Sequence, residues 1–279
     1  MKIAFVGKGG SGKSTMSWLA SEVSVHENYH TVTIDADHNM DMCSIYHIEV
    51  HENFPTLHRN HALFRDFVGQ KEDKAWHEIV LDNRPLPSFK LNPADSFTKK
   101  VTTKIKDQHH IITTGLGSPD ILSSSRCAHG HSAPLKFYLP LIALSKDERI
   151  IIDGVAGVDM LNFGLFTGAD ALIVVVEPHP SSIQVLNQIT RIAKETEIPI
   201  YTLVNKTRDN DHLRTIINNQ ENNVIGQIPL DENLLDYNFQ KLKQETISLM
   251  KSALVSISNH KTTTTGIERL QKFEINRKQ

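Results

Sequence analysis

Gly7-Lys8-Gly9-Gly10-Ser11-Gly12-Lys13-Ser14-Thr15 is the stretch whose reading decides the fold. It follows an apolar run, Ile3-Ala4-Phe5-Val6, and precedes Met16, Leu19, Ala20 and Val23, which recur at i, i+3, i+4 and i+7. The run reads as a strand and the periodic segment as a helix. A glycine loop between them with the spacing G-x-x-x-x-G-K-[ST] is a phosphate-binding P-loop. Glycines let successive backbone N–H groups turn inward around a phosphate, and the next helix points its positive end at the same anion. The pattern assigns Gly9, Gly10, Ser11, Gly12, Lys13, Ser14 and Thr15 to nucleotide phosphates. Lys13 is expected to reach the β- and γ-phosphates, and the Ser14 hydroxyl to take one position on Mg²⁺. Lys8 adds a second positive charge within the loop.

Outward from this loop, short β-branched runs alternate with helical segments, the pattern of a parallel α/β sheet. Strands are expected at Lys2–Val6, Thr31–Asp35, Ile111–Gly115, Arg149–Asp153, Ala171–Val176, Ile200–Asn205 and Val224–Ile228. The expected fold is one doubly wound, mostly parallel sheet of about seven or eight strands flanked by helices, with ligands at the carboxyl edge. Asp35, Asp37 and Asp41 follow the second of these strands, and carboxylates there can orient water or hold metal-linked water. Arg149-Ile-Ile-Ile-Asp153 is a hydrophobic strand ending in an acid, a Walker B pattern in which Asp153 holds Mg²⁺ through water.

The loop G-K-G-G-x-G-K-S resembles the deviant Walker A group of the SIMIBI class, which includes MinD/ParA and the nitrogenase iron protein. The order of elements over residues 1–260 is most similar to the CooC-type nickel-insertion ATPases of carbon monoxide dehydrogenase. The resemblance implies that Lys8 reaches across an ATP-stabilised homodimer to the partner's nucleotide, as an arginine-finger analogue. Asp37 matches the aspartate that positions the attacking water, and Asp41 one that senses the Mg²⁺ shell. His38 stands where many relatives have proline, which leaves Asp35 and Asp37 both open as the switch aspartate. Gly157 matches the switch II glycine whose N–H senses the γ-phosphate. Asn205 and Lys206 match a V-N-K element that recognises adenine, for which an amide offers both a donor and an acceptor. Pro229 and Leu230 match the segment that packs on the base.

Cys127 matches the first cysteine of the CooC C-x-C motif, and His129 stands at the second. In that family the motif binds one metal between subunits. Cys127 and His129 from two chains would supply S₂N₂, a set suited to Zn²⁺ and also accepted by Ni²⁺. His131 adds a third candidate ligand. A four-thiolate cluster like that of the nitrogenase iron protein needs a second cysteine where this chain has Met160. The implied activity is Mg-dependent ATP hydrolysis coupled to metal delivery to a client metalloenzyme. The alternative is a MinD/ParA-type scaffold acting on membrane or DNA.

Composition is that of a soluble globular protein: 39% of the 279 residues are hydrophobic and 22% charged, and the length allows a sizeable core. A net charge of −2 gives no basic field for nucleic acid. Ala171 to Val176, the longest apolar run, is too short to span a bilayer. With the P-loop beginning at Gly7, no room is left for a signal peptide, and the expected location is the cytoplasm. Residues 45–110 are expected to be a mostly helical insertion, with helical stretches from Phe54 to Phe67 and from Asp73 to Leu81. The ATPase domain is expected over 1–260, followed by a solvated tail, 261–279. Ser181 is read as a helix N-cap, and Leu242, Ile247, Met250, Leu254 and Ile257 as a stripe closing the domain against the sheet.

Overall fold

Every residue of Ala171-Leu-Ile-Val-Val-Val176 is buried, as a strand covered on both faces requires. A computed structural model describes the whole chain except residues 38, 72, 83–84, 116–131, 195, 259–263 and 278–279. In chain order the strands are β1 Lys2–Gly7, β2 His30–Asp35, β3 Phe89–Lys90, β4 Thr102–Lys106, β5 His109–Thr113, β6 Ile142–Ala143, β7 Glu148–Asp153, β8 Ala171–Val176, β9 Ile200–Thr207 and β10 Val224–Pro229. Eight of them form one sheet in the order β10-β9-β8-β1-β7-β2-β5-β4. All neighbours in it are parallel except β4 and β5. All the expected strands are present. β4 completes the sheet as its antiparallel edge.

Alternation along β1 explains the two cores. Ile3 and Phe5 point to one face, where helices Lys13–His26 and Gln244–Ser258 pack with Met16, Leu19, Met250, Leu254 and Ile257. Ala4 and Val6 point to the other, covered by helices Ala133–Leu141 and Pro180–Ala193. The chain runs from β1 to β2 past β7, and from β7 to β8 on the other side of β1. Loops after β1, β2 and β7 therefore meet at one carboxyl edge, the place where open α/β sheets bind ligands.

Three expectations need correction. The 45–110 stretch is not mostly helical. It holds helices His61–Phe67, Glu78–Leu81 and Ser96–Val101, together with β3, β4 and the start of β5. Its aromatic residues make a shared core instead of amphipathic helices: Phe64, Phe89 and Phe97 pack on one another and on Tyr138, with ring centroids 4.9–6.2 Å apart. The described part of the 261–279 stretch, residues 264–277, is not a solvated tail either. Thr265 and Glu268 form a capping box that starts the helix Gly266–Asn276. Leu270 is fully buried, and Arg269 donates to the carbonyls of Thr167 (3.0 Å), Ala169 (2.6 Å) and Thr264 (2.6 Å). Ile267, Leu270 and Phe273 make a stripe at i, i+3 and i+6 that is narrow but sufficient once buried polar groups complete the contact. The third correction concerns the helix Pro180–Ala193: His179, not Ser181, is its N-cap, with Nδ1 accepting from the Ser181 N–H.

Candidate nucleotide site

The P-loop has the conformation its glycines require. Gly10 and Gly12 adopt φ values of +81° and +91°, and Gly12 precedes the first residue of the helix Lys13–His26. A Cβ on Gly12 would lie 2.3 Å from Asn205 Nδ2, so the close approach of β9 also demands glycine. Beside the loop opens a cleft of about 590 Å³, large enough for a nucleotide. Gly9, Gly10, Gly12, Lys13, Ser14 and Thr15 line it from the loop, Asp37, Asn39 and Asp41 from the loop after β2, and Gly154 and Ala156 from that after β7. Asn205, Lys206, Pro229 and Leu230 close its other end.

Lys13 is buried, with its Nζ 3.5 Å from the Lys8 carbonyl. Desolvation lowers its pKa, and the Asp153, Asp37 and Asp41 carboxylates oppose that effect. Asp35 and Asp153 end adjacent strands in direct register. Burial raises Asp153 to about 6, against hydrogen bonds from Ser14 and Ser17 and the charge of Lys13. The Ser17 Oγ donates to Asp153 Oδ1 at 3.2 Å. Asp35 is also held well above the usual carboxylate range, by burial first and then by Asp153.

Geometry separates the two switch candidates. Asp35 is fully buried and accepts from the backbone N–H of Asp37 (3.1 Å) and of Met42 (3.0 Å), so both its oxygens are used in shaping the loop. Asp37 is half-buried and lies in the cleft, with one oxygen accepting from the Asn39 N–H at 3.1 Å. Asp41 is exposed at the start of the helix Asp41–Ile45 and also lines the cleft.

Three residues have contacts that the sequence reading did not foresee. Gly157 (φ +72°) donates its N–H to the Gly7 carbonyl at 2.8 Å, so that donor faces the P-loop backbone. Asn205 donates Nδ2 to the Ser11 carbonyl at 2.9 Å, which leaves Oδ1 as its remaining amide acceptor. Lys206 bridges the Gly10 carbonyl (3.0 Å) and Glu177 (2.5 Å). Lys8 is exposed. Tyr237, Asn39 and Asp231 were missed. Tyr237 shares a hydrogen bond of 3.2 Å with the Thr15 hydroxyl and sets its ring edge against Trp18, centroids 5.3 Å apart. It lies 222 positions from Thr15, and no local signal links the two. Asn39 sits midway between Asp37 and Asp41, and its spacing could have marked it. Asp231 accepts from the Asn233 N–H (3.1 Å) and the Thr246 hydroxyl (3.1 Å), which fixes the wall carrying Leu234 and Tyr237.

The residues fit a magnesium nucleotide. A Cβ built on Gly10 or Gly157 meets nothing within 4 Å, so the space over the loop is open. Ser14, Asp37 and Asp153 are hard oxygen donors beside a desolvated lysine, the set Mg²⁺ prefers when it retains waters. Among the described residues no group of three or more His, Cys, Asp or Glu is arranged to hold a metal directly. Cys127, His129 and His131 lie outside the described residues. Met160 is fully buried, and a Cβ on Gly154 would come within 2.8 Å of its sulfur, so its position belongs to the core. Among the described residues, no helix is long and apolar enough to cross a membrane.

Comparison with known proteins agrees with this arrangement. The family described as the CobQ/CobB/MinD/ParA nucleotide binding domain matches residues 3–242. The chain is similar to the carbon monoxide dehydrogenase accessory protein CooC of Rhodospirillum rubrum, 26% identical over 235 residues that cover 83% of this chain and 84% of that protein. An ATP-binding protein of Methanocaldococcus jannaschii is 24% identical over 236 residues, 84% of this chain and 90% of that one. In fold, the chain resembles the septum site-determining protein MinD of Pyrococcus horikoshii complexed with Mg-ADP (TM-score 0.61, 14% identity, 92% and 96% of the two chains). It also resembles a Cyanothece McdA variant complexed with ATP (TM-score 0.64, 13% identity, 94% and 98%). The chain belongs to the CobQ/CobB/MinD/ParA family of nucleotide-binding domains.

Proposed function

We propose that the chain is a Mg-dependent ATP hydrolase that dimerises on ATP and couples its cycle to metal delivery to a metalloenzyme. The observation that carries the ATPase is the convergence of Lys13, Asp37 and the Ser14–Asp153 pair around one cleft. Lys13 would hold the β- and γ-phosphates, and Asn205, Pro229 and Leu230 the base, with Asn205 Oδ1 accepting from its amino group. Ser14 and Asp153 would hold Mg²⁺, with Asp37 and Asp41 linked to it through water; the ion would supply neutralisation of the phosphate charge. Asp37 would orient a water whose oxygen bonds to the γ-phosphorus as the bond to the bridging oxygen breaks, giving ADP and phosphate. For Gly157 to meet the γ-phosphate, its N–H must leave the Gly7 carbonyl, so nucleotide state would be transmitted to the segment after Asp153.

Lys8 has no ion-pair partner among the described residues and is exposed, as a lysine acting on the partner's nucleotide would be. Metal delivery is supported by the similarity to CooC and by the pairing of Cys127 with His129 in sequence. Across a homodimer these two residues would hold one Zn²⁺ or Ni²⁺. Lys8→Ala is expected to bind nucleotide but to lose both the ATP-dependent dimer and turnover; normal hydrolysis in that variant would remove the trans role. Metal analysis of anaerobically purified protein, with and without ATP, tests delivery. One zinc or nickel per dimer, lost in Cys127→Ser, is the expected result. Metal-free dimers that bind liposomes or DNA would favour the positioning ATPase instead.

A further inference from the structure

A second, smaller cleft of about 220 Å³ lies against the outside of the P-loop. Lys8, Ser11, Glu177, His179, Ser181 and Ser182 line it, and it shares only Gly9 with the nucleotide cleft. Four observations give this cleft the character of an anion site. Ser11 is 2% exposed and its hydroxyl has no hydrogen-bond partner, so a buried donor here awaits an acceptor. The Lys8 ammonium has no ion-pair partner among the described residues. The cleft is bounded by the N-terminus of the 14-residue helix Pro180–Ala193, whose dipole favours negative charge. His179 caps that helix through Nδ1, which accepts from the Ser181 hydroxyl (3.0 Å) and the Ser181 N–H (3.4 Å), and a neutral ring bonded this way carries its proton on Nε2 as a further donor.

The acid in the lining does not cancel this field. Glu177 is paired with Lys206 at 2.5 Å, and Lys206 is itself fixed to the Gly10 carbonyl. The Ser182 hydroxyl accepts from the Glu177 N–H at 3.1 Å and serves the turn. With that ion pair neutral, Lys8 leaves the cleft one positive charge in excess. Its volume is less than half that of the nucleotide cleft, room for a phosphate group with its waters and too little for a whole nucleotide.

We infer that the Lys8–Ser11–His179–Ser181 cleft binds a phosphate-class oxyanion from outside the P-loop. The anion is either a phosphate of the nucleotide held by a second copy of this chain or free inorganic phosphate. The first source rests on the ATP-dependent dimer proposed above; the second does not. In either case Lys8 does not act alone. His179, its ring fixed by the Ser181 hydroxyl, orients the anion that Lys8 attracts, and Ser11 ties it to the P-loop.

The test uses wild type and the double variant His179→Asn with Ser181→Ala, in which asparagine keeps the helix cap. An unchanged affinity for ADP with Mg²⁺ verifies that the variant is folded. Inorganic phosphate is then titrated calorimetrically into the ADP-loaded protein, and ATP-driven dimerisation is followed by sedimentation. Phosphate binding to the wild type that weakens at least tenfold in the variant identifies free phosphate as the ligand. No phosphate binding, but an ATP-dependent dimer weakened at least tenfold, identifies the partner's nucleotide. If both measurements match wild type, the cleft is not an anion site and the inference is overturned. A wild type that does not dimerise on ATP would sink the dimer alone, because the phosphate titration still decides the cleft.

Discussion

Buried charge is treated in opposite ways at two places in this molecule. At the C-terminal helix Gly266–Asn276 every buried charge has a partner. Arg269 is 5% exposed and donates to three carbonyls, and Lys136 forms an ion pair with Glu274, both nearly out of solvent. At the carboxyl edge of the sheet, Lys13, Asp35 and Asp153 are buried with their protonation equilibria displaced, and the like-charged Asp35 and Asp153 share register. Fully partnered buried charge docks an element and changes nothing when ligand arrives. Displaced buried charge is a cost that a bound magnesium nucleotide relieves. The first pattern therefore marks structure and the second marks function.

Two substitutions set the regions against each other. Lys13→Ala is expected to weaken MgATP binding by roughly 100-fold or more, because it removes the desolvated cation proposed to hold the phosphates. The stability of the nucleotide-free chain should change by no more than about 1 kcal/mol, since the lysine is itself buried at a cost. Arg269→Ala should do the reverse. It removes three charge-assisted hydrogen bonds and leaves their carbonyls buried, a loss of about 3–5 kcal/mol and a fall in Tm of roughly 10 °C, with ATP affinity within about twofold of wild type. Thermal melts and nucleotide titrations on both variants check this. An Arg269→Ala chain that kept its Tm but lost ATP would erase the distinction.

Asp153 sharpens the same contrast through pH. Its pKa is raised from 3.8 to about 6 in the folded, nucleotide-free chain, so the folded state holds a proton that the unfolded state releases. That proton favours folding at low pH, and its contribution is lost as pH rises from 3.8 through 6. Above pH 6 the ionised group costs on the order of 3 kcal/mol. Asp153→Asn should therefore raise Tm over wild type above pH 6, with the gain vanishing near pH 4, while abolishing turnover. With Mg²⁺ held by the Asp153 carboxylate as proposed above, MgATP affinity of the wild type should fall about tenfold per pH unit below about pH 6. Calorimetry at pH 5 and pH 7.5 measures both. A pH-independent difference in Tm between the two chains would show that Asp153 is already ionised without nucleotide.

How far these features are readable in sequence depends on the range of the signal. The parallel strands are legible because burial on both faces forces continuous runs such as Ala171–Val176. β4 is not, because Thr-Thr-Lys-Ile-Lys is a half-solvated edge with no such run. The P-loop is legible because its chemistry is contiguous. The role of Asn205 is only half legible: its place at the cleft follows from V-N-K, whereas the bond from Nδ2 to Ser11 depends on how closely β9 approaches Gly12. Asp35 and Asp37 look alike on paper and differ only in what surrounds them. The C-terminal helix escaped notice because its contact uses Arg269 and Glu274, residue types that a hydrophobic pattern counts as exposed.

Tyr237 offers the smallest effect and the finest test of how the two ends of the cleft are joined. Its hydroxyl bonds Thr15 and its ring meets Trp18 edge-on at 86°, while its backbone holds φ +48°, a left-handed conformation uncommon for tyrosine. These contacts fasten the base-side wall, Asp231 to Leu242, to the first turns of the helix that begins at Lys13. Tyr237→Phe removes one neutral hydrogen bond, about 1 kcal/mol, and keeps the ring contact. The expected result is a KM for ATP raised roughly fivefold with kcat within about twofold, because the bond holds the binding wall and touches no reacting atom. Trp18 supplies the readout. Trp76 lies apart in the Phe64 cluster, so in a Trp76→Phe background Trp18 is the sole tryptophan, and its emission should change when ATP enters. If emission responds equally in the Tyr237→Phe chain and KM does not move, the ring alone fastens the wall and the hydroxyl bond is incidental. If kcat falls with KM unchanged, Tyr237 acts through Thr15 on the phosphates, and the wall is functionally part of the P-loop.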